Sequence, residues 1–214
     1  MKKENSVIVI GSGGHATSLA ESIVSSGYEI KYFLDENSGK KELLGFDVKT
    51  LLAEEESPML VVAVGDNCLR EEIVKNTRSQ RPLSIFPKII HADASISRFS
   101  EIGEGAVVLQ SAVVGANTTI GDFCIVNTRS SIDHDCHMAV YSSLGPGSVT
   151  GGGVRIAERS MIGMGTVIRH SINVGSDVVV GSMSYVNKDC VDETVYYGTP
   201  AAPIRKRQKG DPYL

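Results

Sequence analysis

Two hydrophobic rhythms divide the chain. Up to Phe86, short apolar runs alternate with amphipathic stretches. Val7-Ile8-Val9-Ile10 predicts a buried strand, followed by a glycine turn and a helix to about Ser26. Ile30 to Leu34 predicts a second strand ending at Asp35, and Met59 to Val64 a third ending at Gly65-Asp66. A helix follows from about Asn67 to Thr77, then a short strand at Leu83 to Phe86 between Pro82 and Pro87. The segment Leu43 to Leu52 fits neither a helical nor a strand period. Buried strands separated by helices imply a parallel βαβ sheet.

The second half repeats every sixth residue. Fifteen of the sixteen positions from Ile96 to Val186 are aliphatic, Thr150 being the exception. Glycine follows the repeat position at residues 103, 115, 121, 145, 151, 163, 175 and 181. No amphipathic helix or alternating strand generates a period of six, whereas a prism-shaped solenoid does. Each hexapeptide is one flat face, three faces close a coil of about 18 residues, and small corner residues permit tight turns. About five coils stack at roughly 4.8 Å each. The tail beyond Val186, with Pro200 and Pro203, cannot continue the repeat and is expected to cover one end. The pattern therefore predicts a small Rossmann-like α/β region over residues 1–88 and a parallel β-helix over 89–214.

Composition narrows the classes. The formal net charge is −4, and the only basic tract is Arg205-Lys206-Arg207-Gln208-Lys209, which argues against nucleic acid as the main partner. No apolar run is long enough for a membrane span, and no secretory leader is expected. Four cysteines without a Cys-x-x-Cys pair fit reduced thiols in a cytoplasmic protein.

The glycine loop Gly11-Ser12-Gly13-Gly14-His15-Ala16 follows a strand and opens a helix, and Asp35 ends the next strand. That satisfies the dinucleotide fingerprint, in which backbone N–H groups at a helix N-terminus receive a phosphate. A redox NAD enzyme is thus one reading, but the region is too short for both halves of a full dinucleotide-binding sheet. One half suits one nucleotide. On that reading Ser12, Gly13, Gly14 and His15 lie against a diphosphate and Asp35 recognises uridine or thymidine. Gly65, Asp66 and Asn67 share the same sheet edge.

Together with Asn127-Thr-Arg-Ser-Ser-Ile-Asp-His134-Asp135 and Gly198-Thr-Pro-Ala201, these features resemble the left-handed β-helix sugar acetyltransferases of bacterial surface glycans. Within that group the chain looks most like the nucleotide-amino-sugar N-acetyltransferases and sialic acid O-acetyltransferases. The resemblance implies a left-handed solenoid, acetyl-CoA as co-substrate, no metal, and a homotrimer with active sites between prisms. It assigns His134 as general base and Asp135 as its partner, an assignment that suits imidazole chemistry. It places Asn127 against the acceptor, and puts Ser143 where many relatives carry a second histidine. Acetyl-CoA is expected in a groove near Gly152, Met164 and Gly181, with Thr199, Pro200, Ala201 and Arg205 at the C-terminal end.

Three other histidines offer less. His137 precedes an inward residue, His170 lies two coils from His134 on the same edge, and His91 sits at the domain junction. The remaining alternatives are a sialic acid O-acetyltransferase, which would leave the glycine loop structural, another sugar O-acetyltransferase, and a noncatalytic scaffold. A zinc-dependent carbonic anhydrase on the same solenoid would need three converging histidines, which this spacing does not supply.

Overall fold

The computed structural model describes residues 5–52 and 58–213. Its first region contains β1 (Ser6–Ile10), α1 (Gly14–Ser25), β2 (Glu29–Leu34), β3 (Glu42–Leu43), β4 (Phe46–Lys49), β5 (Leu60–Val62) and α2 (Asn67–Gln80). The sheet order is β3-β4-β2-β1-β5. All its pairings are parallel except β3 with β4. The unreadable segment after Leu43 is this hairpin. Its two turn residues, Leu44 and Gly45, both have left-handed φ (53° and 83°). That is the geometry of a tight hairpin turn, and a leucine in it gives no turn signal. The strand expected at Leu83 to Phe86 is reduced to one bridge between Ile85 and Met59, because the flanking prolines allow no longer ladder.

From Ile89 the chain winds into the prism. The first face carries Ile89–Ile90, Val107–Val108, Ile125–Val126, Ser143–Leu144, Met161–Ile162 and Val179–Val180. The second carries Ser95–Ile96, Val113–Val114, Ser131–Ile132, Val149–Thr150, Val167–Ile168 and Tyr185–Val186. The third carries Glu101–Ile102, Thr119–Ile120, His137–Met138, Arg155–Ile156 and Asn173–Val174. Parallel partners are 18 residues apart on every face, as in Val114 with Ile132. The second residue of each pair points into one continuous core.

The corners are made differently from the expectation of small residues at the turns. Every sixth residue from Gly105 to Met183 has left-handed φ, and ten of these are not glycine, among them Asn117, Asp135 and Ser171. The glycines that follow the inward residues serve coil spacing instead. A Cβ on Gly115 would lie 2.7 Å from the backbone nitrogen of His134, one coil away.

The three outward rows differ in character. The first face is covered: Val107, Leu109 and Ile125 join Leu19 and Ile23 of α1 and Val9 and Phe33 of the sheet in one buried cluster. The third presents Glu101, Thr119, His137, Arg155 and Asn173. The second exposes Val113, Val149 and Val167, each more than two-fifths accessible. The tail extends the first face with Thr194–Gly198 and folds back as Ala201–Lys206. Tyr196 joins the solenoid core there, as expected of an end cover.

Candidate active site

His134 stands at the corner between the second and third faces. Its Nδ1 lies 2.6 Å from Oδ2 of Asp135, and its backbone N–H donates to Oδ1 of Asp133 at 2.7 Å. A carboxylate at Nδ1 keeps the proton on that nitrogen and leaves Nε2 as the lone-pair atom. The Asp135 hydrogen bond and then the Asp133 charge raise the imidazole pKa above its ordinary 6.5. Asp135 is itself held below the usual carboxylate range, first by the amide of Asn117 at 2.6 Å and then by His134.

The turn is anchored from inside the prism. Thr118 Oγ1 donates to the Asp133 carbonyl and accepts from the Cys136 N–H. Thr150, the one break in the aliphatic series, is buried and accepts from the Asp133 N–H at 3.2 Å. An inward hydroxyl thus replaces a methyl where the neighbouring backbone N–H needs a partner. One coil below His134 lies Gly152. A Cβ there would come within 2.5 Å of Cε1 and 2.6 Å of Nε2 of the imidazole, so the ring occupies space that only a glycine leaves. The Gly152 N–H makes no hydrogen bond among the described residues, although Gly153 N–H binds the His134 carbonyl.

The other expected site residues fall into separate groups. The glycine loop and Asp35 do meet: Asp35 Oδ2 accepts from the Ser12 N–H at 3.0 Å and the Ser12 hydroxyl at 2.7 Å. Gly13 and Gly14 are exposed at the start of α1, while Gly11, at φ 105°, makes the turn. His15 sits beside Gly65, its Nε2 buried with no hydrogen-bond partner among the described residues. Burial, and then the charge of Arg70, push its pKa down to about 4.

Three of the expected residues have partners within the chain. Asp66 is the N-cap of α2, accepting from the Leu69 N–H at 2.8 Å. Asn67 is fully buried and bonds the carbonyls of Arg159 and Ser160, tying α2 to the solenoid. Ser143 is buried on the first face and donates to Asn67 Oδ1 at 2.6 Å, so its hydroxyl is spent within the domain junction. Arg70, which the sequence reading passed over, is the centre of that junction. Its guanidinium donates to the carbonyls of Phe123, Val64 and Tyr141 and to Asn67. Polar residues that glue two domains and polar residues that bind a ligand look alike in sequence.

Asn127 lies at the corner between the first and second faces, its Oδ1 accepting from the Thr128 N–H. Met164 is exposed at that same corner, near the hairpin tip at Thr199 and Pro200, where the Thr199 hydroxyl donates to the Met183 carbonyl. Gly181 is buried there beneath Tyr197, whose ring fills the space a Cβ would take, so it is a packing glycine. Ala201 packs against the solenoid core, and Arg205 pairs with Asp211 at 3.8 Å. Within one chain, therefore, His134, Asp135 and Gly152 share one corner, and Asn127, Met164 and Thr199 another. His170 lies on the corner of His134 two coils on, His137 on the third face, and buried His91 accepts from the Asp93 N–H.

Comparison with known proteins places this geometry. Residues 6–77 match the family model described as the PglD N-terminal domain. The chain is 27% identical over 146 residues to GDP-perosamine N-acetyltransferase of Escherichia coli O157:H7, and spans 64% of that protein's length. Among solved structures it resembles PerB of Caulobacter crescentus in complex with CoA and GDP-perosamine, with 32% identity and a TM-score of 0.87 over 94% of this chain and 97% of that one. It also resembles the acetyltransferase domain of PglB from Neisseria gonorrhoeae FA1090 in complex with acetyl coenzyme A, with 36% identity, a TM-score of 0.87, and coverage of 94% and 100%. On that identity across almost its whole length, the chain belongs to the left-handed β-helix, hexapeptide-repeat sugar acetyltransferases.

Proposed function

We propose that this protein transfers the acetyl group of acetyl-CoA to the amino group of a nucleotide-linked 4-amino-deoxy sugar used in a bacterial surface glycan. The observation that carries the reading is the imidazole of His134, fixed through Nδ1 by Asp135 and standing over Gly152. The sugar amine attacks the thioester carbonyl while Nε2 of His134 takes its proton. The Gly152 N–H is free to receive the oxyanion of the tetrahedral intermediate. Collapse expels the CoA thiolate, which recovers the proton from the imidazolium.

The acceptor's diphosphate sits at the open N-terminus of α1, against Ser12, Gly13, Gly14 and His15, with Gly65 beside it. An exposed helix start with two glycines suits an anion. Asp35, already oriented by Ser12, faces the nucleoside. Uridine or thymidine fits this reading, and GDP-perosamine, named for PerB, adds guanosine to the candidates.

The working unit is a homotrimer joined along the second face, whose outward Val113, Val149 and Val167 stay exposed among the described residues. That face is bounded by both corners described above. Packing it against another copy brings the His134 corner of one subunit toward the Asn127, Met164 and Thr199 corner of the next. The acetyl-CoA groove then runs between prisms.

The test is release of free thiol from acetyl-CoA with a panel of GDP-, UDP- and dTDP-linked 4-amino sugars and with free and CMP-linked sialic acid. Turnover on the amino sugars is expected. Activity on sialic acids alone transfers the reading to O-acetylation, and a folded protein that turns over none of them and binds no CoA overturns it. A positioned base is worth about 10²–10⁴-fold, so His134→Ala should lower kcat by that factor with assembly intact. Retention of more than half the turnover removes His134 from the mechanism.

A further inference from the structure

Asp135 has two carboxylate oxygens, and only one faces His134. The other, Oδ1, accepts from Nδ2 of Asn117 at 2.6 Å. Asn117 is one coil, 18 residues, before Asp135, at the same corner of the prism. Both residues have left-handed φ, 55° and 57°. The two turns are also joined through the backbone by the Asp135 N–H donating to the Ala116 carbonyl, and the Asn117 N–H extends the ladder to the Phe99 carbonyl of the preceding coil. The amide therefore hangs from a rigid ladder and meets a carboxylate carried on the same ladder.

We infer that Asn117 is the positioning residue of the base, the third member of an Asn117–Asp135–His134 chain running along one edge of the solenoid. The inference rests on His134 being the base.

The physical case is one of rotational freedom. Asp135 and His134 are more than half exposed at their side chains. A solvent-exposed carboxylate next to an imidazole spends much of its time elsewhere, because water competes for both groups. Asn117 removes that freedom. With Oδ1 pinned, rotation of the carboxyl about its terminal bond must break a hydrogen bond to a charged acceptor, which is stronger than one between neutral groups. Oδ2 is then held toward Nδ1, and the imidazole keeps the tautomer and ring angle that aim Nε2 over Gly152. The same logic orders acid–histidine pairs in buried sites, where protein packing performs this task. At an open corner a second donor has to do it.

The alternative is that Asn117 is there for its backbone. Asparagine tolerates left-handed dihedrals, and Asp135, Gly153 and Ser171 at the same corner of the next coils adopt them too. Glycine and aspartate tolerate them too. Asn117→Gly deletes the amide without straining the turn, and Asn117→Asp keeps the shape but replaces the donor by an acceptor.

The charged groups acting on His134 are Asp135 and Asp133. Losing the pinned geometry weakens the larger of these influences, so the His134 pKa moves down toward its ordinary value in Asn117→Gly. The acidic limb of the kcat profile should move to lower pH with it. The expected loss in kcat is about tenfold, part of the about 10²–10⁴ that a positioned base supplies. KM for both substrates should stay within twofold, and the thermal midpoint should not fall. Asn117→Asp places a second carboxylate against Asp135 and should also lose kcat, whereas a purely conformational role would leave it near wild type.

The direct measurement is titration of histidine-labelled protein by NMR, wild type against Asn117→Gly, beside the pH–rate profiles of both variants. A lowered His134 pKa with lowered kcat supports the chain. Wild-type kcat and an unmoved His134 titration in Asn117→Gly overturn it, as does a kcat loss matched by a lower thermal midpoint with no shift in titration. His134→Ala separates the two levels of the argument. If that variant remains active the base assignment fails, while the NMR shift still reports whether Asn117 governs the His134–Asp135 pair.

Discussion

Replacing Gly152 by alanine inserts one methyl group where the imidazole of His134 now lies. The added carbon would stand 2.5 Å from Cε1, 2.6 Å from Nε2 and 3.1 Å from Cδ2. Carbon contacts become favourable only at about 3.5–4.0 Å, so the ring must retreat by about 1 Å. It can, because the side chain is largely exposed. The backbone of Gly152 has no left-handed φ, and its N–H survives the substitution. The fold is therefore expected to be indifferent and the chemistry is not. A misplacement of about 1 Å at a reacting group costs about 10²-fold. That is about 2.7 kcal/mol of barrier. The assay is kcat by thiol release beside a thermal melt, and Gly153→Ala is the control. Gly153 has φ 71°, and the nearest atom to an added Cβ is 3.5 Å away on Ser171. Alanine there carries about 1–2 kcal/mol of backbone strain but should leave kcat within a few-fold. In a His134→Ala background the Gly152→Ala loss should vanish, since the displaced group is gone. If Gly152→Ala keeps more than half the wild-type kcat, the imidazole does not act from the position described.

With His134 as the proposed base, its raised pKa should put the acidic limb of kcat/KM above that of an ordinary histidine, because only the neutral ring can accept a proton; Asp135→Asn should move that limb to lower pH, read from a pH–rate profile. His15, held neutral with a pKa of about 4, binds a proton more readily in the unfolded chain. Stability should thus be constant above the unfolded value of about 6.5 and fall by at most about 3 kcal/mol as pH drops to 4. Urea unfolding at several pH values, with His15→Gln as the flatter reference, measures it. Introducing Glu at both Val149 and Val167 should convert the proposed trimer to a monomer of unchanged circular dichroism, scored by sedimentation; a trimer that persists would place the interface on another face.

The prism was legible because its inward residues obey one rule for fifteen positions, and the exception at Thr150 proved to be the hydroxyl that anchors the His134 turn. His134 and Asp135 were legible as neighbours in sequence. Asn117 was not, because its partner is a full coil away and nothing local marks it. The signal existed in the repeat itself: residues 18 apart share a corner, so an asparagine one coil before a carboxylate stands beside it. Gly152 was expected beside the cofactor, and the structure adds that it makes room for the His134 imidazole. Asp66, Asn67 and Ser143 have partners within the chain that nothing local in the sequence marks. Each carries a polar group at the expected sheet edge or repeat position, but the buried guanidinium of Arg70 and the open end of α2 needed those groups first.

The parallel register of the coils has a consequence for distance. Neighbouring coils are separated by about 4.8 Å, and nothing between them can stretch without breaking the ladders. The separation between the His134 edge and the hairpin at the far end therefore changes only in whole steps, by gain or loss of 18 residues. Point substitutions alter what lines the path, whereas its length is counted in coils. The solenoid is a ruler, and its graduations are fixed by the hydrogen-bond spacing of a β-sheet.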